Sequence, residues 1–154
     1  MISMQLLYGE SIKREIIRLI EWADSILICS PFVEDFDVTQ DEKLTDFLKR
    51  KTRTKEIILL TKPPDPNETR KSALLTKLRK GGVTIYTNSG IHAKAVIAKR
   101  GYVLQSIIGS ANLTGAGLHS NLELALKLDK ERHICGEIRR LVNSFLDKRW
   151  LPST

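Results

Sequence analysis

This 154-residue chain offers few groups for covalent or metal cross-linking. Its two cysteines, Cys29 and Cys135, have no short ligand spacing. That excludes a disulfide frame and a zinc cluster, and reads as reduced thiols of a cytoplasmic protein. Long hydrophobic runs are missing as well. No apolar stretch approaches the roughly 18 residues of a membrane-crossing helix, so no span is expected. Met1–Leu7 lacks a basic start and a long apolar core, and reads as a short strand rather than a secretory leader. Aromatic residues make up only 6% of the chain, too few to predict a stacking platform for single-stranded nucleic acid. Acidic residues fall short of basic ones, 18 against 25, which leaves a net charge of +7. A basic surface favours polyanions, nucleic acid first and an anionic membrane second.

What is present is enough for one domain over residues 1–154, with 42% hydrophobic and 28% charged residues. Ile12, Ile16, Leu19 and Ile20 recur at helical spacing between Ser11 and Trp22, with Ser11 as the expected cap. Ser25–Ser30 and Glu56–Thr61 are short, nearly continuous apolar runs, the pattern of strands buried on both faces. Between them lie an acidic loop, Pro31–Gln40, and a helix to Lys51 that Asp41 is expected to cap. Pro63, Pro64 and Pro66 force a loop. Asn67 is the expected cap of a third helix through Lys80, and Val83–Thr87 is a third strand. Alternating helices and strands imply a parallel sheet with crossover helices. The pattern then changes. His92–Ala98 and Val103–Ile108 flank Lys99-Arg100-Gly101-Tyr102 as an antiparallel hairpin. A Gly-rich loop leads to a strand over Asn121–Leu128, and a helix over about Lys130–Lys148 turns Ile134, Ile138, Leu141, Val142 and Phe145 inward. The fold class is α/β, a mixed, partly parallel sheet between helices.

The chemistry concentrates in Ile91-His92-Ala93-Lys94, Gly109-Ser110-Ala111-Asn112 and Asn121-Leu122-Glu123. Residues two apart on a strand share a face, so His92 and Lys94 are expected side by side. Neutral imidazole is a nucleophile toward phosphorus, and imidazolium protonates a leaving oxygen. Lys94 supplies fixed positive charge for non-bridging phosphate oxygens. Ser110 and Asn112 add a hydroxyl and an amide without adding charge. No Asp, Glu and His cluster with metal-ligand spacing accompanies them, and no metal or cofactor is expected. The dense run Lys49, Arg50, Lys51, Arg53, together with Lys99 and Arg100, is expected to track a nucleic-acid backbone.

His-x-Lys followed by Gly-Ser-x-Asn resembles the signature of the phospholipase D superfamily. One position departs from it: Lys99 stands where the family has Asp, beyond the reacting groups. The resemblance implies a phospholipase D-like fold and a metal-independent phosphodiesterase working through phosphohistidine. It makes Glu123 the carboxylate that orients an imidazole, as in a serine protease triad. Hydrolysis needs one histidine as nucleophile and one as acid, and this chain carries the motif once. It is similar to the small bacterial nucleases of the superfamily, which set two copies face to face, so a homodimer completing the active site is expected. An endonuclease on DNA, ahead of RNA, is the leading expectation. The alternatives are a non-catalytic nucleic-acid-binding module and a phospholipase or phosphatidyltransferase.

Overall fold

The continuous apolar runs occupy the middle of an eight-stranded sheet. The computed structural model describes residues 3–151. In chain order the elements are β1 (Met4–Tyr8), α1 (Glu10–Trp22), β2 (Ser25–Cys29), β3 (Asp37–Thr39), β4 (Glu42–Lys43), α2 (Leu44–Lys51) and β5 (Glu56–Thr61). They continue with α3 (Thr69–Lys80), β6 (Thr84–Thr87), β7 (Lys94–Arg100), β8 (Val103–Gly109), a π-helical turn (Ala116–Ser120), β9 (Leu124–Asp129), α4 (Arg132–Asn143) and β10 (Lys148–Arg149). The sheet order is β1-β9-β8-β7-β2-β5-β6-β10. β2, β5 and β6 are parallel, linked by the crossovers through α2 and α3. All other neighbours in this sheet are antiparallel. The fold is thus the expected mixed α/β sheet between helices. The N-terminal strand is also present, although Met1 and Ile2 lie outside the described residues.

The two faces of the sheet are covered unequally. On one, α1, α2 and α3 pack Leu19, Phe47 and Leu75 against Ile28, Leu59 and Val96. On the other, α4 alone covers Leu27, Leu60, Ala95 and Ile97, through Val142 and the half-buried Ile138. Ile134, Leu141 and Phe145, expected to point inward, are instead exposed. The expected long C-terminal helix also ends early, at Asn143. Beyond it, β10 pairs with β6 and the Trp150 amide donates to the Ile85 carbonyl at 2.8 Å. Pairing with an open sheet edge outweighs the weak local preference for further helical turns.

Three expected helix caps are replaced by other contacts. Ser11 lies inside the first turn of α1 and exchanges hydrogen bonds with the Tyr8 amide and carbonyl, at 3.0 and 2.6 Å. Asp35, not Asp41, serves α2, accepting from the Thr45 amide and hydroxyl, both at 3.0 Å. α3 starts at Thr69 with Glu68 before it, and no side chain caps it. Any carboxylate or hydroxyl that the tertiary fold brings close can serve an orphan helix N–H, so the nearest one in sequence has no monopoly.

Candidate active site

β7 and β8 bring the motifs together by register. Lys94 opposes Gly109 at the end of the ladder, and Ala95 opposes Cys29 of β2 on the other side. The strand starts at Lys94, two residues later than expected. Past that point β8 has ended and β2 has turned away, so nothing pairs with His92. His92 therefore lies on the exposed lead-in to β7, and the strand-face argument that pairs it with Lys94 does not apply to it. Among the described residues, none hydrogen-bonds to its ring. Beside it is an apolar hollow of about 220 Å3, lined by Cys29, Leu60, Leu141 and Phe145.

Lys94 is half-buried and lines a small cavity with Ser30, Gly109 and Ala111. The adjacent Cys29 thiol is held up at about 11 by burial, against the pull of the Lys94 charge. It is protonated at neutral pH and makes a poor competitor nucleophile.

Gly109 has a steric reason to be glycine. A Cβ there would lie 2.4 Å from the Leu124 carbonyl oxygen and 2.7 Å from Ala125. Its neighbour Ser110 is spoken for. Its amide donates to the Leu124 carbonyl at 3.0 Å, its hydroxyl donates to Glu123, and it accepts from the Leu124 amide at 3.1 Å. Glu123 precedes β9 rather than starting it, and its other oxygen faces the Asn121 amide at 3.5 Å. The Glu123 carboxylate is thus fixed by Ser110 and Asn121, and no hydrogen bond or ion pair among the described residues joins it to His92.

Asn112 stands across from this pair. Its side-chain oxygen meets the Ser30 hydroxyl at 3.5 Å, and that hydroxyl also accepts from the Leu113 amide at 2.9 Å. Gly117 lets the loop close: a Cβ there would lie 2.4 Å from the Asn112 carbonyl oxygen. Ser30 and Gly117 are positioning residues that motif reading missed. Ser30 had a signal, since it directly follows a buried strand, and sites in α/β sheets gather at strand C-termini.

The other expected binding residues lie elsewhere. Lys49, Arg50, Lys51 and Arg53 end α2 and enter the loop before β5. Lys99 and Arg100 close β7, five residues beyond Lys94, or about 17 Å along the strand. All six therefore sit at the opposite end of the sheet from Lys94. Arg50 is committed to Glu42 at 2.9 Å, and nearby Lys55 donates to the Ile20 and Glu21 carbonyls. Among the described residues, no group of three or more His, Cys, Asp or Glu comes together to hold a metal ion, and no helix is long and apolar enough to cross a membrane.

The fold has structural counterparts among solved proteins. Nuc from Salmonella typhimurium, a phospholipase D family member, superposes with a TM-score of 0.78 at 15% identity, over 98% of this chain and 99% of that one. NucT from Helicobacter pylori superposes with a TM-score of 0.69 at 16% identity, over 95% and 96%. TrmBL2, an archaeal chromatin protein with a novel mode of DNA binding, gives 0.62 at 12% identity, over 96% of this chain and 53% of its own. Comparison with the curated proteins gives no match. The family model for the PLD-like domain of cardiolipin synthase spans residues 16–150, which takes in every motif described above, and the chain belongs to that phospholipase D-like family.

Proposed function

We propose that this protein is a metal-independent phosphodiesterase, an endonuclease on DNA ahead of RNA, that works through a phosphohistidine on His92 in a homodimer. The observation that carries this reading is the β7–β8 register, which gathers Lys94, Gly109-Ser110 and Asn112 at one sheet end directly after His92. A His92 ring nitrogen attacks phosphorus, the P–N bond forms, and the P–O bond to the leaving alcohol breaks. A second histidine gives that alcohol its proton. The same histidine then takes a proton from water, which attacks phosphorus and frees His92. Lys94 and the Asn112 amide hold the non-bridging oxygens. Ser110 holds Glu123 in place, where it is available to orient an imidazole of the partner.

One chain holds one such histidine, so the second comes from another copy. This is supported by an exposed apolar surface that runs up to the site. Leu6 and Tyr8 of β1, 56% and 66% exposed, share a sheet face with Leu124 and Leu126 of β9. Leu141 and Phe145 extend it to the hollow beside His92. Contiguous apolar surface of this kind marks an interface.

The test is cleavage of labelled single-stranded DNA, duplex DNA and RNA in EDTA by wild type and His92→Ala. Wild-type turnover with none in the variant is the expected outcome. Salt-sensitive binding without cleavage of any substrate marks a binding module instead and overturns the reading. The active species should sediment as a dimer, and its pH profile should be bell-shaped because one imidazole starts neutral and the other protonated.

A further inference from the structure

A phosphodiester site specifies a phosphate, not what is attached to it. The selecting surface must lie alongside. Next to Asn112 the chain opens a groove of about 620 Å3, and Phe32, 52% exposed, lines it. An exposed phenyl ring gains little for folding, yet this one is held with unusual care. The Ser30 hydroxyl donates to the Phe32 carbonyl at 2.6 Å. The Thr61 hydroxyl and the Lys71 ammonium both donate to the preceding Pro31 carbonyl, at 3.1 and 2.9 Å. Val33, the next residue, bridges to Leu113 of the Asn112 loop. The backbone that carries the ring is therefore fixed relative to Asn112 through Ser30, which touches both sides.

The charges around it fit the same use. The ammonium groups of Lys71 and Lys62 lie 5.7 and 5.8 Å from the ring centroid. Lys71 is only 7% exposed, and burial lowers its pKa from the ordinary lysine value. Among the described residues its one hydrogen-bond acceptor is the Pro31 carbonyl, although an ammonium has three N–H donors. A phosphate entering the groove satisfies the others.

We propose that Phe32 is a stacking platform for an unpaired base of the substrate, with Lys71 and Lys62 on the flanking phosphates, so that the enzyme selects single-stranded nucleic acid. This rests on the reading of the site as a nucleic-acid phosphodiesterase. The selection follows because a duplex keeps its bases stacked on one another and must unstack one to offer it to the ring. Stacking on an aromatic ring tolerates any base, so little sequence preference is expected.

The experiment measures kcat and KM in EDTA on single-stranded and duplex DNA for wild type, Phe32→Leu and Phe32→Trp. Leucine keeps apolar bulk but lacks a π face, and the exposed position puts little folding energy at risk. The expected result is a wild-type preference for single strands. That preference falls about tenfold in Phe32→Leu, through KM rather than kcat, and is restored in Phe32→Trp. A 2-aminopurine base in a bound single strand should be quenched by the inactive His92→Ala variant and not by the double variant that adds Phe32→Leu. If active Phe32→Leu keeps the wild-type ratio and the double variant keeps the quenching, the platform is wrong and the proposed function stands. If wild type cleaves neither substrate, the two fall together.

Discussion

The two ends of the sheet differ in how deeply their cations are set. At the end where β2 and β8 stop and β7 starts, two lysines are partly withdrawn from water: Lys94 is half-buried beside Ser30, and Lys71 is buried under Pro31. At the other end the cations are mostly exposed: Lys49, Arg50, Arg53 and Arg100 face solvent. Arg50 there is occupied by Glu42, and Arg50 and Lys51 lie against the Phe47 ring. A dense run of charge in sequence marks a solvated surface, where screening keeps each charge weak. A single cation that the fold takes partly out of water acts more strongly on a nearby phosphate.

The sharpest way to break this contrast is to remove one lysine from each end of the same strand. Lys94→Ala should lower kcat about 10³-fold, the scale of losing a transition-state charge contact. Lys99→Ala should change it less than twofold, and single-turnover kinetics in EDTA will separate the two. An equal loss in both would mean that the far end takes part in turnover. The exposed apolar face comes next. The pair Leu6→Asp and Leu126→Arg should shift sedimentation from dimer to monomer and lower specific activity at least about tenfold at low protein concentration, with far-ultraviolet circular dichroism unchanged. A monomer with full activity sinks the shared-site arrangement.

The hairpin joining the two ends gives a smaller contrast. Gly109→Ala drives a methyl into Leu124 and Ala125 and should cost about 3 kcal/mol in urea unfolding. Gly101, at the turn, has φ +58° and open space around it, so Gly101→Ala should cost only about 1 kcal/mol of backbone strain. The smallest effect lies between the ends, at Glu15. Burial raises its carboxyl pKa, but hydrogen bonds and charge from Arg18 and Lys127 outweigh this and leave it below the ordinary 4.5. The folded value is the lower one, so the stabilisation is complete above pH 4.5 and is lost as pH falls through the folded value. Glu15→Gln should therefore destabilise by about 0.5 kcal/mol at pH 7, with the gap closing below pH 4.5. A gap that stays constant on acidification would remove the ion pair from the account.

Much of the architecture was legible because its signals are local. The buried strands at Ser25 and Glu56 announce themselves as apolar runs, and the prolines after Lys62 leave no choice but a loop. The candidate site was legible for a different reason. His-x-Lys and Gly-Ser-x-Asn are short, and the hairpin between them brings Lys94 opposite Gly109 with no help from distant parts of the chain. What was illegible depended on partners far away in sequence. Asp35 reaching Thr45, β10 docking on β6 and the shortened α4 are settled by which neighbours happen to be near. The aromatic fraction predicted no stacking platform, yet composition cannot tell where a single ring stands, and Phe32 stands beside Asn112.

The sequence by itself determined the sheet's central strands, the basic balance and the motif residues of the candidate site. Each follows from covalent spacing, and periodicity along one chain is all it needs. Only the tertiary structure decided which charges matter. It sent Lys94 and Lys99 to opposite ends of one strand, tied Ser110 to Glu123 and lifted His92 off the ladder. It also left an apolar face uncovered beside the site. Burial and the positions of unpaired groups are properties of the packed molecule, and no window along the chain contains them.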